Sequence, residues 1–174
     1  MSLTKLCAKI ELILSDVDGV MTDGGIQLLD DGTQFVKFHI RDGMGVRLWR
    51  EAGKRFGIVT GRKLDSIRKR AEDLWLDIIR LGIDDKLPAI DELAAEFKIT
   101  RDQICYIGDD LLDLKAIQSV GFGVAVADAV EEVRQAAKYT TSVPGGQAAV
   151  REVIELILKN TGRWEEVMKR YSAS

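Results

Sequence analysis

Two aspartates one residue apart, Asp16 and Asp18, open the run Asp16-Val17-Asp18-Gly19-Val20-Met21-Thr22-Asp23-Gly24-Gly25. An apolar stretch from Ile10 to Leu14 precedes them and reads as a buried strand. The pair therefore emerges at the carboxyl end of a strand, the edge of an open α/β sheet where ligands bind. One carboxylate can attack while its neighbour passes a proton, both around a shared cation. Alone, the motif is equally well an acidic turn, because Asp and Gly are frequent turn residues.

Three further places add weight. Phe56-Gly57-Ile58-Val59 is a short apolar run ending in Thr60-Gly61-Arg62. Lys86 stands at the start of an amphipathic segment, after Asp84 and Asp85. Ile104-Cys105-Tyr106-Ile107 ends in Gly108-Asp109-Asp110-Leu111-Leu112-Asp113. Each taken singly has a plain reading: Thr60 as a helix cap, Lys86 as a solvated partner of Asp84 or Asp85, Asp109-Asp110 as a turn. Together they bring an acid pair, a hydroxyl, a cation and a second acid cluster to one rim. That set suits a phosphoryl group and a divalent metal. A phosphate monoester hydrolyses very slowly in water, and a carboxylate-bound intermediate divides the reaction into two easier steps. The attacking carboxylate needs the phosphate charge neutralised, and the proton donor must start protonated.

The order D-x-D-G, T-G-R, K, G-D-D-x-x-D resembles the haloacid dehalogenase-like phosphatases, from Asp16 to Asp113. The resemblance implies Asp16 as nucleophile and Asp18 as general acid and then base. It implies Thr60 and Lys86 as holders of the phosphoryl oxygens, with Gly61 beside them. Mg²⁺ would sit on Asp16, Asp109 and the backbone carbonyl of Asp18. Asp110 and Asp113 would support, Asp113 by orienting either Lys86 or the metal shell.

These groups need a frame, and the apolar patterning supplies one. Short apolar runs, with Phe122-Gly123-Val124-Ala125-Val126 among them, alternate with segments of helical period. Leu87, Ile90, Leu93, Ala94 and Phe97 stripe one helix face from Lys86 to Phe97, and Ile67, Ala71 and Leu74 stripe another. A helix after Asp42 as N-cap, and one beginning near Ala129, complete the pattern. The expected fold is α/β: a Rossmann-like open, mostly parallel sheet with helices on both faces. Residues 1–174 read as a single domain, enough to bury about 70% of the unfolded surface. A net charge of −3 gives no support for nucleic-acid binding, and no apolar stretch approaches a membrane span. Neither a signal peptide nor a His-based metal cluster is expected, His39 being the sole histidine. Cys7 and Cys105 read as free buried thiols, and the expected compartment is the cytoplasm.

One segment breaks the alternation. Ile26-Gln27-Leu28-Leu29 and Gln34-Phe35-Val36-Lys37-Phe38 flank Asp30-Asp31-Gly32-Thr33, an Asp-Gly hairpin over residues 25–38. Thr60 lies 44 positions after Asp16 and Lys86 lies 26 after Thr60, spacings that leave no room for a cap domain. Water must then be excluded by the substrate or by a neighbouring subunit. The apolar hairpin favours a subunit interface.

Asp-Val-Asp-Gly-Val, the hairpin, Arg41-Asp42-Gly43 and Pro144-Gly145-Gly146 are similar to the capless 3-deoxy-D-manno-octulosonate 8-phosphate phosphatases, from about Ile10 to Leu158. Ala148 in place of a common glycine and Leu81 in place of a common glutamine depart from that pattern. The resemblance implies a Mg²⁺-dependent phosphomonoesterase in lipopolysaccharide precursor synthesis, acting on a small sugar-acid phosphate. It also implies a homotetramer built on the hairpins, with a C-terminal tail (residues 162–174) that either packs on its own subunit or reaches a neighbour's site. Arg62 is the candidate for the sugar-acid carboxylate, with Lys37, Arg41, Asp42 and Gly43 as further substrate contacts. The alternatives are a phosphatase of nine-carbon sialic-acid-type 9-phosphates and, from another class, a non-catalytic assembly subunit. A receiver domain is disfavoured, because its acidic pair would come first and adjacent.

Overall fold

The computed structural model of the chain describes residues 2–76 and 78–172. Its strands are β1 (Leu12–Ser15), β2 (Gln27–Leu28), β3 (Gln34–Phe35), β4 (Arg55–Thr60), β5 (Ile78–Leu81), β6 (Ile104–Gly108), β7 (Phe122–Ala125) and β8 (Tyr139–Thr140). Its helices are α1 (Leu3–Cys7), α2 (Ile40–Glu51), α3 (Asp65–Asp73), α4 (Lys86–Glu96), α5 (Leu114–Ser119), α6 (Glu131–Ala136), α7 (Ala149–Asn160) and α8 (Arg163–Met168).

The main sheet runs β5-β4-β1-β6-β7-β8, every neighbouring pair parallel. The chain winds outward from β1 through β4 to β5, then returns to the other side of β1 and continues through β6 to β8. The reversal opens a crevice beyond the carboxyl ends of β1, β4 and β6, the topological switch point of such sheets. Every residue of β1, β6 and β7 is buried, which explains why these strands are continuous apolar runs and not alternating ones. Helices α1, α2, α7 and α8 pack as one group and α4, α5 and α6 as another. The expected α/β architecture is what forms.

Helix α2 departs from its expected start. It begins at Ile40, and the N-cap is His39, whose Nδ1 accepts from Arg41 N–H at 3.2 Å. Asp42 lies in the first turn of the helix and is buried. Its Oδ1 accepts from Arg151 N–H at 2.8 Å, in the first turn of α7. Helix α7 needs that borrowed acceptor. Its own N-cap, Ala148, is in the left-handed region at φ 72° and makes no side-chain cap bond. A non-glycine residue there costs roughly 1 kcal/mol, which gives the glycine expected at 148 its physical reason.

Burial pushes the Asp42 carboxyl up to about 6 against the hydrogen bond from Arg151, and its Oδ2 is unpartnered. The folded state then holds a proton that the unfolded state, titrating at about 4, has lost. Stability from this group is therefore present at low pH and lost as pH rises between about 4 and 6. Asp42→Asn keeps an acceptor for Arg151 and cannot ionise. In urea titrations at pH 7.5 the variant is expected to gain up to about 3 kcal/mol, two pKa units' worth. The gain should vanish near pH 4, and a pH-independent difference between the two proteins refutes the assignment.

The hairpin forms, with strands of two residues each in place of the longer ones expected. Leu29 N–H donates to Thr33 O, Gly32 N–H donates to Leu29 O, both at 2.9 Å, and Gly32 has φ 81°. This is a three-residue loop closed by a left-handed glycine, not a two-residue Asp-Gly turn. Ile26, Leu28, Leu29 and Phe35 are each more than half exposed. At the other end of the chain, Val167 is buried and the indole of Trp164 lies under the cations of Arg151 and Lys159. The Tyr171 hydroxyl donates to the Glu51 carboxylate at 2.9 Å. The tail therefore packs on its own chain through Tyr171; residues 173 and 174 lie outside the described residues.

Candidate active site

Strand β1 delivers Asp16 to the rim, where Asp16 N–H extends the ladder to Ile107 O at 3.0 Å. The chain then turns on Gly19, at φ 77°, where an added Cβ would lie 2.0 Å from Asp109 Oδ2. Only glycine lets this loop approach the end of β6 so closely. The buried Thr22 hydroxyl gathers the loop by accepting from Gly19 N–H and Gly24 N–H, each at 3.2 Å. Gly145 and Gly146 close it from behind: Gly146 N–H donates to Val20 O at 2.9 Å, and a Cβ on Gly145 would meet Gly19 O at 1.8 Å.

Strand β4 ends at Thr60, whose Oγ1 accepts from Arg62 N–H at 3.3 Å. The Arg62 guanidinium lies across the rim, with Nε 3.0 Å from Asp18 Oδ2 and a terminal N–H donating to Gln34 Oε1 at 2.9 Å. It thus ties the Asp18 loop to the hairpin.

Lys86 opens α4 on the same face as Ile90 and Leu93, so it points inward and is buried. It is no solvated lysine: its partners are not Asp84 or Asp85. Its Nζ lies 2.8 Å from Asp16 Oδ2 and 2.5 Å from Asp113 Oδ1. Asp113 is fully buried and takes four donors. Lys86 and the Tyr106 hydroxyl (2.8 Å) reach Oδ1, and the N–H groups of Asp109 (2.9 Å) and Asp110 (3.3 Å) reach Oδ2. Asp110 caps the following turn through Leu111 N–H at 2.7 Å.

A cleft of about 340 Å³ results. Asp16, Asp18, Thr60, Gly61, Arg62, Lys86, Asp109, Asp110 and Asp113 all line it, so the structure brings together the expected catalytic and supporting groups with Arg62. Lys37, Arg41, Asp42 and Gly43 do not line it. Lys37 pairs with Asp23 at 2.6 Å, Asp42 serves α7, and Gly43 leaves room for Arg70 and Leu74 of the neighbouring helix. Sequence reasoning passed over Tyr106, because an aromatic residue inside an apolar run carries no sign of a functional hydroxyl. Asp84, Gly19 and Leu112 also line the cleft.

The acids outnumber the cations. Burial, then the charges of Asp113, Asp16 and Asp110, push Asp109 up to about 8. Burial likewise raises Asp16, against the pull of Lys86. For Lys86 burial works downward, and the Asp16 and Asp113 charges outweigh it, so the ammonium is held above its ordinary value. Asp16, Asp109 and Asp113 each place an oxygen within 4.8 Å of the others. Asp113 has no acceptor position to spare, which leaves Asp16 and Asp109 for a cation. Crowded carboxylate oxygens held by backbone are the donor set that Mg²⁺ prefers, so the site fits this ion.

The model of the haloacid dehalogenase-like hydrolases matches residues 72–154. The 3-deoxy-D-manno-octulosonate 8-phosphate phosphatase of Yersinia pestis is 42% identical over 151 residues, 87% of this chain and 81% of that protein. The crystal structure of the Moraxella catarrhalis 3-deoxy-D-manno-octulosonate 8-phosphate phosphatase, in complex with magnesium ion, phosphate ion and KDO, superposes with a TM-score of 0.95. It is 36% identical and covers 98% of each chain. The cobalt-bound form of the Haemophilus influenzae phosphatase gives a TM-score of 0.87 at 35% identity, over 90% of this chain and 92% of that one.

Proposed function

The chain belongs to the 3-deoxy-D-manno-octulosonate 8-phosphate phosphatases, within the haloacid dehalogenase-like hydrolases, and we propose on that premise how its own residues do the work. It is a Mg²⁺-dependent phosphomonoesterase that releases phosphate from 3-deoxy-D-manno-octulosonate 8-phosphate. The observation that carries the mechanism is the buried Lys86, fixed between Asp16 and Asp113 at the cleft floor. Asp16 attacks phosphorus and becomes an aspartyl-phosphate as the sugar alcohol leaves. Asp18 gives the leaving oxygen its proton, then takes one from the water that releases phosphate. Lys86 and Thr60 hold the phosphoryl oxygens. Asp16, Asp109 and the Asp18 carbonyl would hold Mg²⁺, which would supply charge that offsets the phosphate. Arg62 takes the substrate carboxylate. In turning to it, the guanidinium leaves Asp18 for the leaving oxygen.

Phosphate release from sugar-acid phosphates tests the substrate. The eight-carbon 8-phosphate should give a higher kcat/KM than a nine-carbon 9-phosphate. Losing the Arg62 contact in Arg62→Ala should cost roughly tenfold to a hundredfold, as for a hydrogen bond between charged groups. Arg62→Glu should cost more through like-charge repulsion, while a small phosphate ester without a carboxylate suffers far less in both. A wild type that prefers the nine-carbon substrate, or an Arg62→Glu variant with an unchanged ratio, ends this assignment.

The assembly follows from the same surface. An apolar hairpin more than half exposed beside an uncapped site supports a homotetramer that packs hairpin on hairpin and shields the cleft from water. Sedimentation equilibrium at micromolar concentration should give four chains, and Leu28→Asp with Phe35→Asp should give fewer. A fully active monomer refutes it. No helix among the described residues is long and apolar enough to cross a membrane. The proposed setting is cytoplasmic, in lipopolysaccharide precursor synthesis.

A further inference from the structure

Tyr106 carries the one hydroxyl on β6, and nothing in the mechanism above uses it. The residue is fully buried between Cys105 and Ile107, where phenylalanine would fill the same space. Its hydroxyl donates at 2.8 Å to Asp113 Oδ1, the oxygen that also takes the Lys86 ammonium. A carboxylate accepts about four hydrogen bonds, and Asp113 has four. It is therefore locked against rotation. An ammonium donates three. Asp16 and Asp113 take two from Lys86, which leaves one for the cleft that Lys86 lines.

We propose that Tyr106 is a positioning residue for phosphate capture, its hydroxyl fixing Asp113 so that Asp113 presents the third N–H of Lys86 to the phosphoryl group. The inference rests on the reading of Lys86 as the phosphoryl-binding cation. Without the hydroxyl, Asp113 keeps its charge but has one empty acceptor position on a side chain with no exposed surface. The carboxylate then turns to share a second proton of Lys86. Its oxygen already lies within 4.8 Å of oxygens of Asp16 and Asp109, so the vacant position also competes for a cation. Burial and the neighbouring carboxylates hold the phenol well above its ordinary titration range, so it stays a donor throughout the working pH.

Calorimetric titration of the full-length, Mg²⁺-saturated protein with inorganic phosphate tests this, alongside steady-state kinetics. Tyr106→Phe should weaken phosphate binding by about tenfold, as for a lost hydrogen bond to a charged group. KM should rise more than kcat falls, and the Mg²⁺ concentration for half-activation should shift. In an Asp113→Asn background the same change should weaken binding less than twofold, because the residues act as a unit. Replacing Tyr106 with 3-fluorotyrosine keeps the shape and sharpens the donor, so phosphate should bind more tightly at an unchanged thermal midpoint. Full additivity in the cycle overturns the proposal, as does a fluorotyrosine protein with wild-type affinity. A Tyr106→Phe protein that is merely less stable, with unaltered phosphate binding, overturns it too. Lys86→Met separates the two readings. If it abolishes phosphate binding while Tyr106→Phe does not, only the role of Tyr106 fails. If it binds phosphate normally, the reading of Lys86 fails with it.

Discussion

Asp16→Asn is expected to reduce turnover by at least about 10³-fold, the order lost when the attacking group of a covalent mechanism is removed. The amide cannot form the acyl phosphate, and neither Asp113 nor Asp18 stands in its place. Asp113 is saturated by four donors, and Asp18 faces Arg62 across the rim. Folding should be nearly untouched. Burial raises the Asp16 carboxyl, so removing its charge relieves desolvation while Lys86 retains Asp113. Rapid-quench measurement of phosphoenzyme with the natural substrate, beside a thermal melt, checks both halves. Undiminished turnover, or full wild-type activity in excess EDTA, sinks the mechanism.

Lys86→Met should abolish activity and also destabilise the protein, a combination that separates it from Asp16→Asn. The ammonium touches two carboxylates with almost no water contact, its own side chain 1% exposed and that of Asp113 0%. Breaking a buried pair from one side leaves an uncompensated charge, typically at a cost of 3–5 kcal/mol, or about that here at neutral pH. Millimolar Mg²⁺ should restore part of the loss, because an ion that binds only the folded state stabilises it by mass action. Urea midpoints with and without Mg²⁺ measure this. A Lys86→Met protein as stable as wild type would mean that Asp16 and Asp113 are not charged together in the fold.

The site was legible because its residues sit at strand ends, and strand ends are written in the sequence as apolar runs followed by Gly and Asp. Asp16, Thr60 and Asp109 were readable in that way, each one step beyond or at the end of a buried strand. Lys86 was readable from its place ahead of a striped helix, but its burial was not. Its spacing to Ile90 and Leu93 is helical, but the carboxylates that hold it inside, Asp16 and Asp113, come from other elements that only the fold brings to it. Asp42 misled for the opposite reason. An Asp before Gly-Met-Gly-Val has the local look of a cap, yet it caps a different helix 109 residues later. Local patterning cannot encode a bond of that range. The hairpin was legible in kind and not in length, because a left-handed Gly32 closes a loop one residue longer than Asp-Gly alone implies.

The seating of Gly145 and Gly146 against the Asp16 loop bears on how a saturation-mutagenesis map of this enzyme should be interpreted. Neither glycine offers a functional group, and both lie more than 120 positions from the nucleophile. Yet a side chain at 145 would collide with the carbonyl of Gly19, and one at 146 with the backbone of Thr22 and Asp23. A growth-coupled screen would therefore score these positions as intolerant as Asp16 itself. Intolerance there marks the mould in which the loop is cast, and chemical rescue or substrate redesign aimed at it would have nothing to act on.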